Sequence, residues 1–198
     1  MPDTGCAAVV LAAGASTRLG QAKQLIELDG ESLLRRTARL ALEAGCAPVV
    51  VVLGYEAERI AAELTDLSVE PVVNPEWRQG MGSSLRCGVA APVICRIMPT
   101  NILLLVCDQP RLTVDHLRAL LAHHAAESVA ITASQYAGRM GVPAVFAAGI
   151  VPELLQCTGD QGARELIRLD ATRVQLVPWP GGAIDIDRPE DREDLTGS

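Results

Sequence analysis

The stretch Val9-Val10-Leu11-Ala12-Ala13-Gly14-Ala15-Ser16-Thr17-Arg18-Leu19-Gly20-Gln21-Ala22-Lys23 decides the fold. Cys6 to Leu11 is an uninterrupted apolar run that gives way to a loop of small residues carrying an arginine and a lysine. A run of that kind reads as a buried strand. A glycine-bearing loop leaving it can bring backbone N–H groups close to phosphate oxygens. Arg18 and Lys23 would add full positive charges there. The bland alternative is an ordinary strand-to-helix turn with two exposed cations. Two familiar phosphate loops fail on spacing. The Walker A pattern requires Gly-Lys-Ser/Thr after its spacer, whereas Gly20 is followed by Gln21. The dinucleotide fingerprint requires glycines where Ala12 and Ser16 stand.

Composition sets the frame. A chain of 198 residues, 49% of them hydrophobic, fits one domain with a substantial core. Aromatics are confined to Tyr55, Trp77, Tyr136, Phe146 and Trp179, so Val, Leu, Ile and Ala must fill that core. Such a core suits a sheet covered by helices on both faces. The net charge of −7 argues against nonspecific nucleic-acid binding, though a local cationic loop can still hold a small anion. Cys6, Cys46, Cys87, Cys95, Cys107 and Cys157 form no C-x-x-C pair, and several lie in apolar runs as small hydrophobes. No secretory leader or membrane-length apolar run is read, so a cytoplasmic setting without membrane contact is expected.

Along the chain, strands alternate with helices. Expected strands are Cys6–Leu11, Pro48–Leu53, Val69–Val73, Ile102–Cys107, Val129–Thr132, Val142–Phe146 broken by Pro143, Val174–Val177 and Ala183–Ile186. Expected helices are Leu33–Ala44 after a Ser32 cap, Ala57–Leu64, a helix capped by Ser83 or Ser84 and reaching Ala90, and Thr113-capped residues to Glu127. Asp160 is expected to cap a helix through Leu169, and Pro189 to open a last one. The alternation implies a right-handed, mostly parallel α/β sheet, a three-layer Rossmann-like arrangement.

Asp108 ends the strand Ile102–Cys107. Ligands of parallel sheets bind beyond such ends, so Asp108 is expected beside the Arg18 and Lys23 loop. A carboxylate there suits Mg²⁺; the alternative is a turn cap before Pro110. Asp185 and Asp187 share a strand face and would repel without a cation between them, although Asp187 can instead cap the helix at Pro189. His116, His123 and His124 read as a solvated helix face. Cys107 reads as a packed thiol.

Together these residues resemble the molybdenum cofactor cytidylyltransferases, with the guanylyltransferases as close cousins. The resemblance rests on Leu11-Ala12-Ala13-Gly14 with Arg18, Gly20 and Lys23, and on Gly80-Met81-Gly82-Ser83-Ser84-Leu85. It continues through Cys107-Asp108-Gln109-Pro110, Gly141 to Phe146, Gly159 to Arg164, and Asp185 to Asp191, covering nearly the whole chain. Departures are Leu19 for a usual methionine, Glu27 for a frequent proline and Arg188 for a common threonine.

The resemblance implies a single nucleotidyltransferase domain over residues 1–198, with 1–110 mainly nucleotide-binding and 111–198 mainly acceptor-binding. It implies Mg²⁺-dependent transfer of CMP from CTP to molybdopterin or the molybdenum cofactor, with a recipient molybdoenzyme or its chaperone as a further partner. Arg18, Lys23 and Asp108 would be catalytic; Leu11, Ala12, Ala13, Gly14, Gly80 and Ser84 would complete the nucleotide site. Gly141, Pro143, Asp160, Gly162 and Arg164 would meet the acceptor, and Asp108, Asp185 and Asp187 the metal. A second glycine at the Ala13 position is the guanylyl habit, so Ala13 favours CTP. Transfer to a sugar or polyol phosphate, or cofactor delivery without catalysis, are the competing readings.

Overall fold

A computed structural model describes residues 5–16, 19–127, 129–160 and 162–184. The apolar runs Cys6–Leu11, Val49–Leu53 and Asn101–Val106 become strands largely buried on both faces. β1 (Cys6–Leu11) leads through a small hairpin, β2 (Glu27–Leu28) and β3 (Glu31–Ser32), into α1 (Leu33–Glu43). The Ser32 side chain accepts from the Arg35 N–H and starts α1; Gly45, at φ +89°, ends it. β4 (Val49–Leu53), α2 (Ala57–Ala61) and β5 (Glu70–Val73) follow. Next come α3 (Met81–Val89), α4 (Pro92–Ile97), β6 (Asn101–Val106) and α5 (Val114–Glu127). β7 (Ile131–Tyr136), β8 (Arg139–Ala147), α6 (Val151–Leu154), α7 (Ala163–Leu169) and β9 (Val174–Pro178) complete the described elements.

The main sheet has seven strands in the order β5-β4-β1-β6-β8-β7-β9. β8 runs against its neighbours β6 and β7, and the other pairings are parallel, so the sheet is mostly parallel as expected. Alternation along β1 divides the core. Cys6, Ala8 and Val10 pack with Leu34, Ile60 and Leu117 from α1, α2 and α5. Ala7, Val9 and Leu11 pack with Leu85, Ile94, Leu154 and Ile167 from α3, α4, α6 and α7. Three layers result. Among the described residues no helix is long and apolar enough to cross a membrane.

Several local expectations change. The third helix begins at Met81, before either serine, because Gly80 takes φ +98° at its N-cap; Ser83 and Ser84 lie in the first turn. Asp160 does not cap α7, whose N-cap is Gly162 with no side-chain bond. The strand expected over Val129–Thr132 is β7, which starts at Ile131 and runs on to Tyr136. Ala183 ends a 3-10 turn, Pro180–Ala183, rather than opening a strand. Residues 185–198, with the rest of that expected strand and the helix at Pro189, lie outside the described residues.

Pro143 does not break its strand. Gly141 pairs with Ser134 and Ala144 with Ala133, so Val142 and Pro143 form a bulge within β8. Side chains answer the two displaced carbonyls. Gln109 Nε2 and the Tyr136 hydroxyl donate to Val142 O at 3.0 and 3.1 Å. The Ser134 hydroxyl donates to Pro143 O at 2.7 Å.

The histidine face turns inward. His116 and His124 are buried against the sheet, and only His123 of the three is exposed. Ser134 spends its proton on Pro143 O, so His116 Nε2, 2.8 Å from Ser134 Oγ, is the donor of that pair. The imidazole stacks on Trp179 at 4.7 Å. Burial lowers its pKa from 6.5 to about 4. Between those values the unfolded chain takes the proton first, so this contribution is complete above the unfolded pKa and is lost as pH falls toward the folded one. Urea titrations at about pH 7.5 and about pH 5 should show wild type losing roughly 2 kcal/mol more than His116→Gln. Equal losses would contradict the buried neutral imidazole.

Candidate active site

Register brings the two informative loops together. Leu11 at the end of β1 pairs in parallel with Val106 at the end of β6 and with Val52 of β4. Both chains therefore leave the sheet at the same edge, the loop from Ala12 on one side and Asp108 on the other. Lys23 Nζ reaches across and forms an ion pair with Asp108 Oδ2. Both side chains are about one fifth exposed, so the pair is partly desolvated and open to a ligand.

The loop is held mainly through its backbone carbonyls, with one bond to its own Ser16 side chain. Gln24, fully buried, donates from Nε2 to Ala12 O at 2.7 Å and to Gly14 O at 2.8 Å. Tyr55 N–H donates to Ala13 O at 3.0 Å, and Lys23 N–H to Ser16 Oγ at 3.2 Å. Gly54 keeps this approach possible, since a Cβ there would lie 2.7 Å from Ala13 O and from the Trp77 side chain. Leu11, Ala12, Ala13, Gly14 and Lys23 line one wall of a cavity of about 340 Å³. That volume falls in the usual range of small-molecule sites, about 300–1,000 Å³.

Gly80, Met81 and Ser84 form the opposite wall. Asn74 Nδ2 donates to Ser83 Oγ at 2.9 Å and Ser84 Oγ at 3.1 Å, which fixes both hydroxyls in place. Gly80 is required twice over. Its φ is +98°, and a Cβ would strike Asp160 Oδ1 and lie 2.9 Å from the Gly159 backbone. Trp77 and Arg78 line the cavity as well, with the guanidinium 4.4 Å from the centre of the indole ring.

A second cavity of about 120 Å³ opens beside the first, sharing Leu11, Met81, Val106, Asp108 and Asp160 with it. It lies where Leu104↔Ala144 ends the pairing of β6 with β8 and the bulge begins. Arg164 lines it. Gly141, Pro143 and Gly162 sit behind the walls: Gly141 under the Tyr136 hydroxyl, Pro143 in the bulge, Gly162 against Met81. Cys107 is packed as expected; burial pushes its thiol up to about 12, with the Asp108 charge adding to the effect.

Arg18, Asp185 and Asp187 lie outside the described residues. Among the described residues no cluster of three or more His, Cys, Asp or Glu side chains stands ready for a metal. Asp108 supplies oxygen donors of the kind a hard cation prefers, and its ion pair engages Oδ2. Gln24, Asn74, Trp77, Arg78 and Gln109 are contributors that motif reading missed. The adjacency of Gln24 to Lys23 and of Gln109 to Asp108 was the available signal.

A glycine loop, a lysine–aspartate pair and a cleft at one strand edge suit a phosphorylated ligand, and the family of the chain makes it a nucleotidyltransferase. The chain belongs to the MobA-like NTP transferase family, whose domain matches residues 8–176. It is 36% identical over 176 residues to nicotine blue oxidoreductase of Paenarthrobacter nicotinovorans, covering 85% of this chain and 84% of that protein. It is 33% identical over 195 residues to the purine catabolism protein PucB of Bacillus subtilis, covering 92% of each. The crystal structure of Rv0371c from Mycobacterium tuberculosis superposes with a TM-score of 0.81 at 29% identity over 98% of both chains. A manganese complex of the same protein gives 0.76 at 27% identity over 96% of this chain and 97% of that one.

Replacing Gln24 with leucine removes both donors and leaves the Ala12 carbonyl buried and unanswered. The variant should lose about 2 kcal/mol in a denaturant titration and bind nucleoside triphosphate more weakly by calorimetry. Unchanged nucleotide affinity would show that the loop does not need this anchor.

Proposed function

We propose that the chain transfers CMP from CTP to the terminal phosphate of molybdopterin or the molybdenum cofactor, releasing pyrophosphate. The observation that carries this reading is the Lys23–Asp108 pair inside a nucleotide-sized cavity. Each partner neutralises the other. A phosphate with its counter-cation has matching polarity, so it can enter with the phosphate on Lys23 and the cation on Asp108. Manganese in the Rv0371c complex supports a divalent ion in this family.

The acceptor phosphate is already ionised, so no strong general base is required. One of its oxygens attacks the α-phosphorus of CTP, the bond to the β-phosphate breaks, and pyrophosphate leaves. Catalysis is then mostly positioning and charge neutralisation. Lys23, joined by Arg18, neutralises phosphate oxygens. Ser84, held by a bond from Asn74, would contact the base. Leu11, Ala12, Ala13, Gly14 and Gly80 shape that side. Asp160 and Arg164 face the acceptor, with Gly141, Pro143 and Gly162 supporting them from behind. Mg²⁺ would be held by Asp108 and Asp185, with Asp187 as a third ligand or a helix cap, and would supply charge neutralisation at the phosphates. Residues 1–110 thus serve mainly the nucleotide and 111–198 mainly the acceptor, within one domain.

Ala13 supports CTP over GTP. It lines the cavity with its carbonyl tied to Tyr55, so its methyl cannot swing aside; a size filter of this kind is worth about 1–3 kcal/mol. The oxidoreductase name of one relative does not alter the reading. The groups gathered in the cavity handle ions and hydrogen bonds, and the neighbouring Cys107 thiol is held protonated by burial. Delivery of the product to a molybdoenzyme or its chaperone is the natural next step for a cofactor of this kind.

Pyrophosphate release from molybdopterin with CTP, GTP, ATP and UTP tests the proposal. CTP should give the highest kcat/KM, and Lys23→Ala should lower it by about 100- to 1,000-fold. Equal inactivity with all four nucleotides would remove the assignment, preference for GTP would move it to the guanylyl cousins, and product with a sugar phosphate alone would change the acceptor class.

A further inference from the structure

The segment that carries Asp160 is tied to the helix that carries Ser84. The chain leaving α6 begins with residues 155–160, which belong to no helix or strand. Cys157 N–H closes the turn after α6 on Leu154 O at 3.2 Å, and beyond it the bonds go to α3. Arg86 donates from Nη1 to Cys157 O. Gly82 N–H donates to Gly159 O at 2.8 Å. Gly82 and Arg86 stand four positions apart and so share one face of α3. A Cβ at Gly82 would lie 2.7 Å from the Thr158 backbone, so glycine lets the segment rest directly on that face. Asp160 Oδ1 then lies against Gly80, and Gly162 against Met81. The start of α7 adds no side-chain hold, since its N-cap is Gly162.

We infer that Arg86 is a positioning residue for the transfer: by tying residues 157–160 to α3 it fixes the acceptor side of the site against the nucleotide side. This rests on the proposed reading of an acceptor seated beside CTP. Gly80, Met81 and Ser84 wall the first cavity, Met81 and Asp160 stand in the walls of both, and Arg164 lines the second. Arg86 lies behind both cavities rather than in their walls, so its effect runs through the segment it holds. A charged donor on a backbone carbonyl is the stronger kind of hydrogen bond, and a segment without a ladder of its own takes its position from such bonds. Attack of the acceptor phosphate on the α-phosphorus needs the two sides at a fixed separation, and a misplacement of about 1 Å costs on the order of 100-fold in rate. Loosening the tie should therefore slow transfer while CTP, held by the β1 loop and α3, binds as before.

Three measurements on the full chain test this in wild type, Arg86→Met and Arg86→Lys: CTP calorimetry with Mg²⁺, pyrophosphate release with molybdopterin, and amide exchange of residues 157–160. Methionine keeps the apolar stem and removes the donor; lysine keeps a charged donor. Arg86→Met should bind CTP at full stoichiometry with affinity within about twofold of wild type, which a loss of folded protein would not allow. Its amides at 157–160 should exchange about tenfold faster, and its kcat should fall about 10- to 100-fold. Arg86→Lys should recover part of that loss. Unchanged kcat or unchanged exchange in Arg86→Met would overturn the inference, as would CTP affinity falling in step with transfer. If Arg86→Met does not fold, Gly82→Ala, which presses on the Thr158 backbone from the same helix face, must slow transfer with CTP affinity kept; wild-type kcat in that variant would overturn the inference. Transfer by wild type to ribitol 5-phosphate and not to molybdopterin would remove the proposed acceptor, and the same loss of kcat in Arg86→Met on that substrate would uphold the tie.

Discussion

The parallel register of β1 with β6 is the constraint on which the site depends. Pairing Leu11 with Val106 makes two distant segments leave the sheet at one edge. Lys23 and Asp108, separated by 85 positions, meet there as an ion pair. Reversing either strand would send the loop and the aspartate to opposite ends. The register itself is fixed by burial, since both faces of β1 are covered and a one-residue slip would exchange its two core faces.

Around that pair the molecule uses buried amides to hold geometry. Gln24 anchors the carbonyls of the glycine loop, Asn74 sets Ser83 and Ser84, and Gln109 ties the β8 bulge. Each reaches to a segment of the chain other than its own. The bulge matters most for the second cavity, because it ends the pairing of β6 with β8 and frees the space beside Val106. His116, Ser134 and Trp179 support it from behind as a neutral, stacked chain.

Much of this was legible in the sequence. Pro48–Leu53 and Ile102–Cys107 read as unbroken apolar runs and hold β4 and β6, and Ser32 with Gly45 brackets α1. Asp108 was placed beside the loop by a general property of parallel sheets. Other features were hidden for physical reasons. Pro143 reports a missing donor, but nothing local says that Gln109, Tyr136 and Ser134 will answer the displaced carbonyls. The histidine spacing revealed a shared helix face, not whether that face meets solvent or sheet. Gly80 sets the start of α3 through a positive φ that its neighbours do not signal. The sequence does not announce what uncharged amides such as Gln24 and Gln109 do, even where Gln109 stands within a motif, because their roles are set by tertiary partners.

The central claim is that Asp108 holds a cation for the nucleotide while Lys23 meets its phosphate. Calorimetric titration of CTP with and without Mg²⁺, in wild type and in Asp108→Asn, tests it most directly. The account predicts that Mg²⁺ tightens CTP binding about tenfold or more in wild type and markedly less in the variant, which lacks one of the carboxylates that tie the ion to the protein. The same Mg²⁺ enhancement in both proteins would contradict it.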